Sequence, residues 1–176
     1  MRADDVLVRA QAGDHAAFAD IVREHQSMVF SLACHIVHDR AAAEDVAQEV
    51  FLELYRSLAR LESGAHLTFW LRRVTSHRCI DRIRRHGRRV ELTLAETHEP
   101  SVPPCAHDPL LEAHLRRLVA ELPAGARAVV TLRYQEDLAP SEIALILDMP
   151  VNTVKSHMRR SMACLRAKMT RNGRQG

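Results

Sequence analysis

The sequence predicts an all-α protein of two small helical domains joined by a flexible linker. Three observations carry that expectation. Apolar residues recur at helical rather than alternating spacing in both halves of the chain. Only 6 Gly and 7 Pro punctuate its 176 residues, few enough for long uninterrupted helices. Four of those prolines gather in residues 91–109. That stretch (ELTLAETHEPSVPPCAHDP) holds four acids and no Lys or Arg, against basic surroundings.

Residues 1–90 form the first predicted domain. Phe18, Ile21, Val22, Val29, Leu32, Ala33 and Ile36 recur at the spacing of one helix face. Val46, Val50, Leu54 and Leu58 make an i, i+4 ladder for a second helix, with Asp39 ahead of it as its cap. A third helix follows through WLRRVTSHRCIDRIRRHGRR. In residues 91–109 proline fixes φ and removes donors, so this segment is expected to be extended and pliable. The other reading, a long surface loop of a single domain, requires an unusual length of irregular chain.

Residues 110–176 form the second predicted domain. LLEAHLRRLVAEL and GARAVVTLRYQEDL are two amphipathic segments. APSEIALILDMPVNTVKSHMRRSMACLRAKM then reads as a short helix, a tight break and a longer helix. Pro140 suits a first helical turn and Glu142 favours the positive end of that helix. Pro150 stops it, and Asn152 or Thr153 is expected to cap the next. There Val154, Met158, Met162 and Leu165 share one side, while Lys155, Ser156, Arg159 and Arg160 project from the rest. After Asp148 the chain has no acid and seven Lys or Arg residues. A short helix, a turn and a basic second helix describe a helix-turn-helix, whose second helix reads the major groove. The alternative is a plain helical hairpin with a solvated basic face.

Composition excludes several classes. Aromatic residues make up 4% of the chain against a hydrophobic share of 47%, so Leu, Val, Ile, Ala and Met must fill the core. The net charge of +3 is small, which makes its distribution the informative quantity. Four scattered cysteines without a CxxC pair point to reduced thiols and a cytoplasmic setting. The N-terminus does not read as a secretory leader, and no apolar run reaches the roughly 18–20 residues of a membrane span. No Gly-rich phosphate loop, nucleophile elbow or triad pattern is present.

Residues 70–89 hold eight arginines, two histidines, a cysteine, an aspartate and the only tryptophan. A metal site from His77, Cys79, Asp81 and His86 fails on geometry. His77 and Cys79 lie about 200° apart around a helix. His35 and His38, beside Cys34, make a better-spaced pair, but nothing at ligand spacing joins them, and no metal or cofactor is expected. On the wheel Leu67, Leu71, Val74 and Thr75 point together, with Cys79 and Ile83 on the drifting continuation of that face. Trp70, Arg73, His77, Arg84 and Arg88 fall within about 60° of one another on the other side. Arginines with one aromatic suit single-stranded DNA, charge following the backbone and the ring stacking on bases. Trp70 serves equally well as a core anchor, and the sequence leaves that open.

Taken in order, AQAGDHAAFADIV, DRAAAEDVAQEVFLELY, FWLRRVTSHRCIDRIRR and LPAGARAVVTLRYQEDLAPSEIALILDMPVNTVKSHMRRSMACLR resemble the extracytoplasmic-function (ECF) class of bacterial RNA polymerase sigma factors. The resemblance covers nearly the whole chain apart from the linker. It implies that residues 1–90 are sigma region 2, which binds the polymerase β′ clamp helices and recognises and melts the minus-ten element. Residues 110–176 are then sigma region 4, which binds the β flap and reads the minus-thirty-five element, with 91–109 as the tether. Asp45, Gln48, Glu49 and Leu52 correspond to the clamp-helix contact; a stripe of acids and amides beside a leucine suits a protein partner, since phosphates are repelled. A solvated acidic face is the plainer reading. The minus-ten surface falls on Trp70, Arg73, His77, Arg84 and Arg88, and the minus-thirty-five surface on Lys155, Ser156, Arg159 and Arg160. The resemblance further implies a non-enzymatic cytoplasmic factor held inactive by an anti-sigma factor, at the inner membrane face where that partner is membrane-bound.

Three positions depart from the family pattern. His77 stands where asparagine is common, Ala139 where a Ser or Thr cap is usual, and Asn152 where glycine is frequent in the turn. The alternative function is a helix-turn-helix regulator that never joins polymerase, and the acidic motif at 44–53 separates the two.

Overall fold

A computed structural model describes residues 3–90 and 109–172, and every regular element among them is helical. The first half holds α1 (Ala3–Gln11), α2 (His15–Val37), α3 (Arg40–Ser57), a 3-10 turn (Leu58–Arg60) and α4 (Gly64–Val90). The second holds α5 (Pro109–Ala120), α6 (Ala124–Tyr134), α7 (Pro140–Leu147) and α8 (Val151–Asn172). The expected linker at 91–109 lies outside the described residues, except for Pro109, which opens α5.

Local chemistry sets the ends of these helices. Gly13 takes φ +92°, a backbone that side chains resist, and turns the chain from α1 into α2. Asp14 then caps α2, its carboxylate accepting from the Ala16 and Ala17 amides at 2.9 and 3.1 Å. The Ala17 amide, and after it the Arg9 guanidinium, hold the Asp14 carboxyl below its usual range. Asp39 caps α3 as expected, accepting from Ala42 N at 2.8 Å. Ser63 Oγ accepts from His66 N at 3.1 Å to start α4, and the Asp4 carboxylate accepts from Gly64 N at 2.8 Å.

The core of the first half lies between three helices. Val29, Leu32 and Ile36 of α2, Val46, Val50 and Leu54 of α3, and Leu67, Leu71 and Cys79 of α4 are all essentially inaccessible. Each such aliphatic side chain contributes about 1.5–3 kcal/mol by leaving water. Thr75 shares this face because its Oγ1 donates to Leu71 O at 2.7 Å, which satisfies the buried hydroxyl within the helix.

In the second half α6 is buried on every side, from Ala126 through Leu132. The reason is tertiary: α7 and α8 cover one side of it, and α2 and α4 of the first half cover another. The apolar core is therefore continuous across both halves, joining Leu67 and Leu71 to Leu132, Ile143 and Ile146. Arg127 interrupts the apolar run of α6. Its guanidinium donates to Ile36 O of α2 at 2.9 Å, to Leu122 O at 3.3 Å and to Ala120 O. One buried cation thus serves the carbonyl ends of α2 and α5, where the helix dipoles favour positive charge.

Beside it, His38 closes α2 in the left-handed conformation (φ 57°), and both its ring nitrogens are buried without a protein hydrogen bond. Burial, then the charges of Arg127, His35 and Arg116, push its pKa down to about 4.

The helix-turn-helix forms with two changes from the sequence reading. Pro150, rather than Asn152 or Thr153, stands at the N-cap of α8, its carbonyl accepting from the amides of Thr153 and Val154 at 2.9 and 3.1 Å. The left-handed residue of the turn is Asp148 (φ 55°), not Asn152, which already lies in the first turn of α8. Proline at 150 brings the helix start forward, so the reversal must occur just before it. At the start of α7, Ala139 offers no side-chain acceptor, but the Glu142 carboxylate accepts from Ala139 N at 2.7 Å. That is half of a capping box.

Two predictions follow from this packing. Ala139→Ser supplies the missing half of the box, and its unfolding free energy in urea is expected to rise by about 0.5–1 kcal/mol. The unfolded His38 titrates near the ordinary value of about 6.5, whereas the folded one resists protonation. Its contribution is therefore complete above that pH and lost progressively as pH falls towards 4. His38→Asn keeps a residue tolerant of left-handed backbone and removes the titration. Urea melts at pH 7 and pH 5 are expected to show a smaller acid loss in the variant.

Candidate nucleic-acid and protein interfaces

The arginine-rich α4 is held by partners on several sides. Towards α3, Arg78 pairs with Glu49 at 2.5 Å and with Glu53, its Nε reaching the Glu53 carboxylate at 3.1 Å. Arg82 pairs with Asp45 at 2.5 Å and approaches Glu49 at 3.9 Å. Towards the second half, Arg72 meets Glu136 at 2.9 Å in an ion pair that is mostly shielded from solvent. Arg73 Nη1 donates to Leu145 O at 2.7 Å, and its Nη2 lies 3.6 Å from the Asp148 carboxylate. His77 Nε2 reaches Ile146 O at 3.1 Å.

Trp70 is partly buried against the core: one part of the side chain packs and one part is accessible. Arg84 is exposed near the end of the helix, and the Arg88 side chain lies outside the described residues. The four described residues of the expected stripe thus meet different surroundings. Arg73 and His77 touch the helix-turn-helix, Trp70 borders the core, and Arg84 faces outward.

Among the described residues the histidines and cysteines do not converge. Cys79 is fully buried and desolvation lifts its thiol pKa to about 12, while His77 turns to Ile146 O. Burial also raises the Cys34 thiol. His35 Nδ1 lies 2.7 Å from Ser31 O. Among the described residues no three His, Cys, Asp or Glu side chains stand close enough to hold a metal ion.

On α3 the four expected contact residues divide by face. Gln48 and Leu52 border an open apolar groove of about 790 Å³ between α2 and α3, while Asp45 and Glu49 lie on the flank that pairs with α4. Phe18 and Phe30 of α2 line the groove opposite Phe51 and Tyr55 of α3. Phe18 and Tyr55 meet edge to face at 5.2 Å, and the Arg40 guanidinium sits 5.3 Å above the Phe30 ring. Leu52 is 59% exposed and Tyr55 51%, which is costly for such side chains unless something covers them. Of the aromatic residues of this groove only Phe18 was named from sequence, and that as part of the apolar face of α2 rather than of a groove. Their signal was scarcity: three of the chain's four phenylalanines line one surface.

On α8 Lys155, Arg159 and Arg160 are exposed and Ser156 is half-buried. Ser156 and Arg160 also line a shallow depression of about 250 Å³ with Asn152, Thr153 and His157 at the N-terminal end of the helix. A recognition helix presents this end to base edges. His157 was missed because a lone histidine carries little weight, though it follows Thr153 by four residues.

These surfaces stand on a chain with clear relatives. Residues 21–89 match the family model for sigma-70 region 2, and residues 113–165 match that for sigma-70 region 4. The ECF RNA polymerase sigma-E factor of Haemophilus influenzae is 32% identical over 181 residues, covering 94% of this chain and 95% of the relative. The ECF RNA polymerase sigma factor SigE of Mycolicibacterium smegmatis is 33% identical over 165 residues, covering 88% of this chain. The chain spans 63% of that relative and 42% of a probable RNA polymerase sigma factor from Xanthomonas campestris. In fold it is similar to the sigma factor RpoE of Bartonella quintana, solved with the anti-sigma factor NepR, at a TM-score of 0.72 and 19% identity over 87% of this chain and 96% of that one. Region 2 and region 4 in this order, with relatives matched nearly end to end, identify the chain as a member of the ECF class of the sigma-70 family.

Proposed function

We propose that the chain is a promoter-specificity factor that joins core RNA polymerase and directs it to initiate transcription, without being an enzyme itself. Residues 1–90 act as region 2, residues 91–109 as the tether and residues 110–176 as region 4. The observation that carries this reading is the α2–α3 groove. A regulator that only binds DNA has no use for exposed Leu52 and Tyr55 over an aromatic floor. A factor that receives a helical element of a larger enzyme does, because an apolar groove takes the apolar face of a helix. Gln48 and Leu52 make that contact, with the clamp helices of the polymerase β′ subunit as the occupant. Asp45 and Glu49 contribute by fixing α3 on α4.

The accessible part of Trp70, with Arg73, His77, Arg84 and Arg88, serves the opening minus-ten region by stacking and phosphate contact. Lys155, Ser156, Arg159 and Arg160 read the minus-thirty-five duplex, while region 4 also engages the β flap. An anti-sigma factor that covers the groove completes the reading and sets when the chain is free. No helix among the described residues is long and apolar enough to cross a membrane. In this reading the chain works in the cytoplasm, at the inner membrane face where the anti-sigma factor is membrane-bound.

Leu52→Glu places a charge in the groove without touching the buried seam of α3. Its affinity for core polymerase, measured by competition with a fluorescent wild-type chain, is expected to fall at least about tenfold, as for an interface anchor. Thermal stability and duplex binding through α8 are expected to stay as in wild type; unchanged polymerase affinity sinks the assignment of the groove. Arg159→Ala is expected to weaken binding to a minus-thirty-five duplex by about 1–3 kcal/mol with relaxed specificity at one base pair. A uniform loss across sequences, with a salt slope lower by about 1, assigns Arg159 to a phosphate instead.

A further inference from the structure

Asparagine is a poor helix former that is common at helix ends for two structural reasons. Its side chain caps free amides, and its backbone tolerates the left-handed region. At the start of α8 neither reason applies to Asn152. The cap is Pro150, whose carbonyl accepts from the Thr153 and Val154 amides at 2.9 and 3.1 Å. The left-handed residue of the turn is Asp148, at φ 55°. Asn152 lies inside the helix and is exposed, and its side chain makes no hydrogen bond among the described residues.

The packing of the rest of α8 sets the direction of that free amide. Val154, Ser161 and Leu165 are buried, and Met158 packs on the core beside them. At 100° per residue the opposite side carries Asn152 and Ser156 along its midline, with Arg159 on one flank and Arg160 on the other. Asn152 and Ser156 also border the depression of about 250 Å³ that Thr153, His157 and Arg160 complete. No acid follows Asp148 in the chain, so nothing on this face repels a phosphate backbone. The midline of a helix seated in the major groove meets base edges, and its flanks meet the walls of the groove.

The side chains on this face differ in what they can distinguish. Lys155, Arg159 and Arg160 only donate, which suits guanine or phosphate, and the hydroxyls of Thr153 and Ser156 accept several bases. The two ring nitrogens of His157 point apart. Asn152 alone holds an N–H donor beside a carbonyl acceptor in one plane, and adenine presents the matching N6 donor and N7 acceptor on its major-groove edge. We infer that Asn152 is a specificity-determining residue that reads an adenine in the minus-thirty-five element. The inference rests on the proposed reading of that duplex by α8. It adds a discrimination that Lys155, Arg159 and Arg160 cannot supply, because a side chain that only donates has no bond to make with the adenine N6 group.

The test is a selection by holoenzyme assembled from the full-length chain and core polymerase. The probe is a pool of random-sequence duplexes long enough to hold both promoter elements, and the bound fraction is sequenced. Wild type is expected to enrich a minus-thirty-five element in which one position prefers adenine. Asn152→Ala is expected to reduce that preference at least about fivefold, the lower end of what a bidentate base contact discriminates, and to keep the preferences at the other positions. Asn152→Asp only accepts, so it is expected to move the preference at the same position to cytosine, whose N4 group donates. Both variants are expected to melt at or above the wild-type temperature, since alanine is the better helix former and an acid suits a helix N-terminus. An enriched element without an adenine overturns the base reading while the minus-thirty-five role of α8 stands. An adenine preference left intact in Asn152→Ala, or a uniform loss across positions, does the same. A lower melting temperature of Asn152→Ala assigns the residue to the helix end and overturns the inference as well. Absence of any enriched minus-thirty-five element in the wild-type selection overturns both, because the surface then reads no sequence.

Discussion

The apolar seam of α4 supports everything else in this molecule. Leu67, Leu71, Thr75 and Cys79 are buried against α2 and α3, and this packing fixes the rotation of a helix that carries eight arginines between residues 70 and 89. Once that face is committed, the cations must point elsewhere, and four of them meet acceptors on other helices or the loops beside them. Arg78 and Arg82 meet the acids of α3, and Arg72 and Arg73 meet the second half of the chain. Exposed ion pairs of this kind contribute little apiece, about 0–1 kcal/mol. Their effect is one of register: they hold α3 at the angle that leaves its aromatic side facing α2 and the groove between them open.

The same logic joins the two halves. α6 is too apolar to face water, and Arg127 within it is tolerable only because the ends of α2 and α5 present carbonyls to it. Burial lowers its pKa, yet it stays cationic where helix dipoles favour a cation. Near it, His38 gains no hydrogen bond and remains neutral. The interface between the halves thus combines a continuous apolar core with polar groups whose satisfaction depends on the halves staying together. Such an interface favours two discrete arrangements, docked or parted, over a graded series.

Much of this was legible residue by residue. The i, i+4 ladder of Val46, Val50 and Leu54 turned inward as periodicity required, and Asp39 capped the helix it precedes. Ile143, Ala144, Ile146 and Leu147 supplied the buried side of α7. The turn chemistry was less secure: the reversal fell on Asp148 and the cap on Pro150, because the proline advanced the start of α8. The candidate contacts could be placed along the chain but not sorted by neighbour. Asp45 and Glu49 share a helix with Gln48 and Leu52, and nothing in the sequence says that α4 brings Arg82 and Arg78 to the first pair and leaves the second beside a groove. Trp70 stayed ambiguous for the same reason, since a wheel gives its angle and not what stands opposite.

By itself, then, the sequence determined the helical class, the order of the two halves and the residues on each chemically distinct helix face. Those properties follow from periodicity, capping and composition, which act over a few residues. The tertiary structure decided which of those faces are covered. It set α7 against Arg73 and His77, gathered Phe18, Phe30, Phe51 and Tyr55 into one groove, and placed Arg127 at the end of a helix about ninety residues earlier in the chain. Contacts of that kind depend on how whole helices dock, and docking is settled by the summed burial of many side chains rather than by any local pattern.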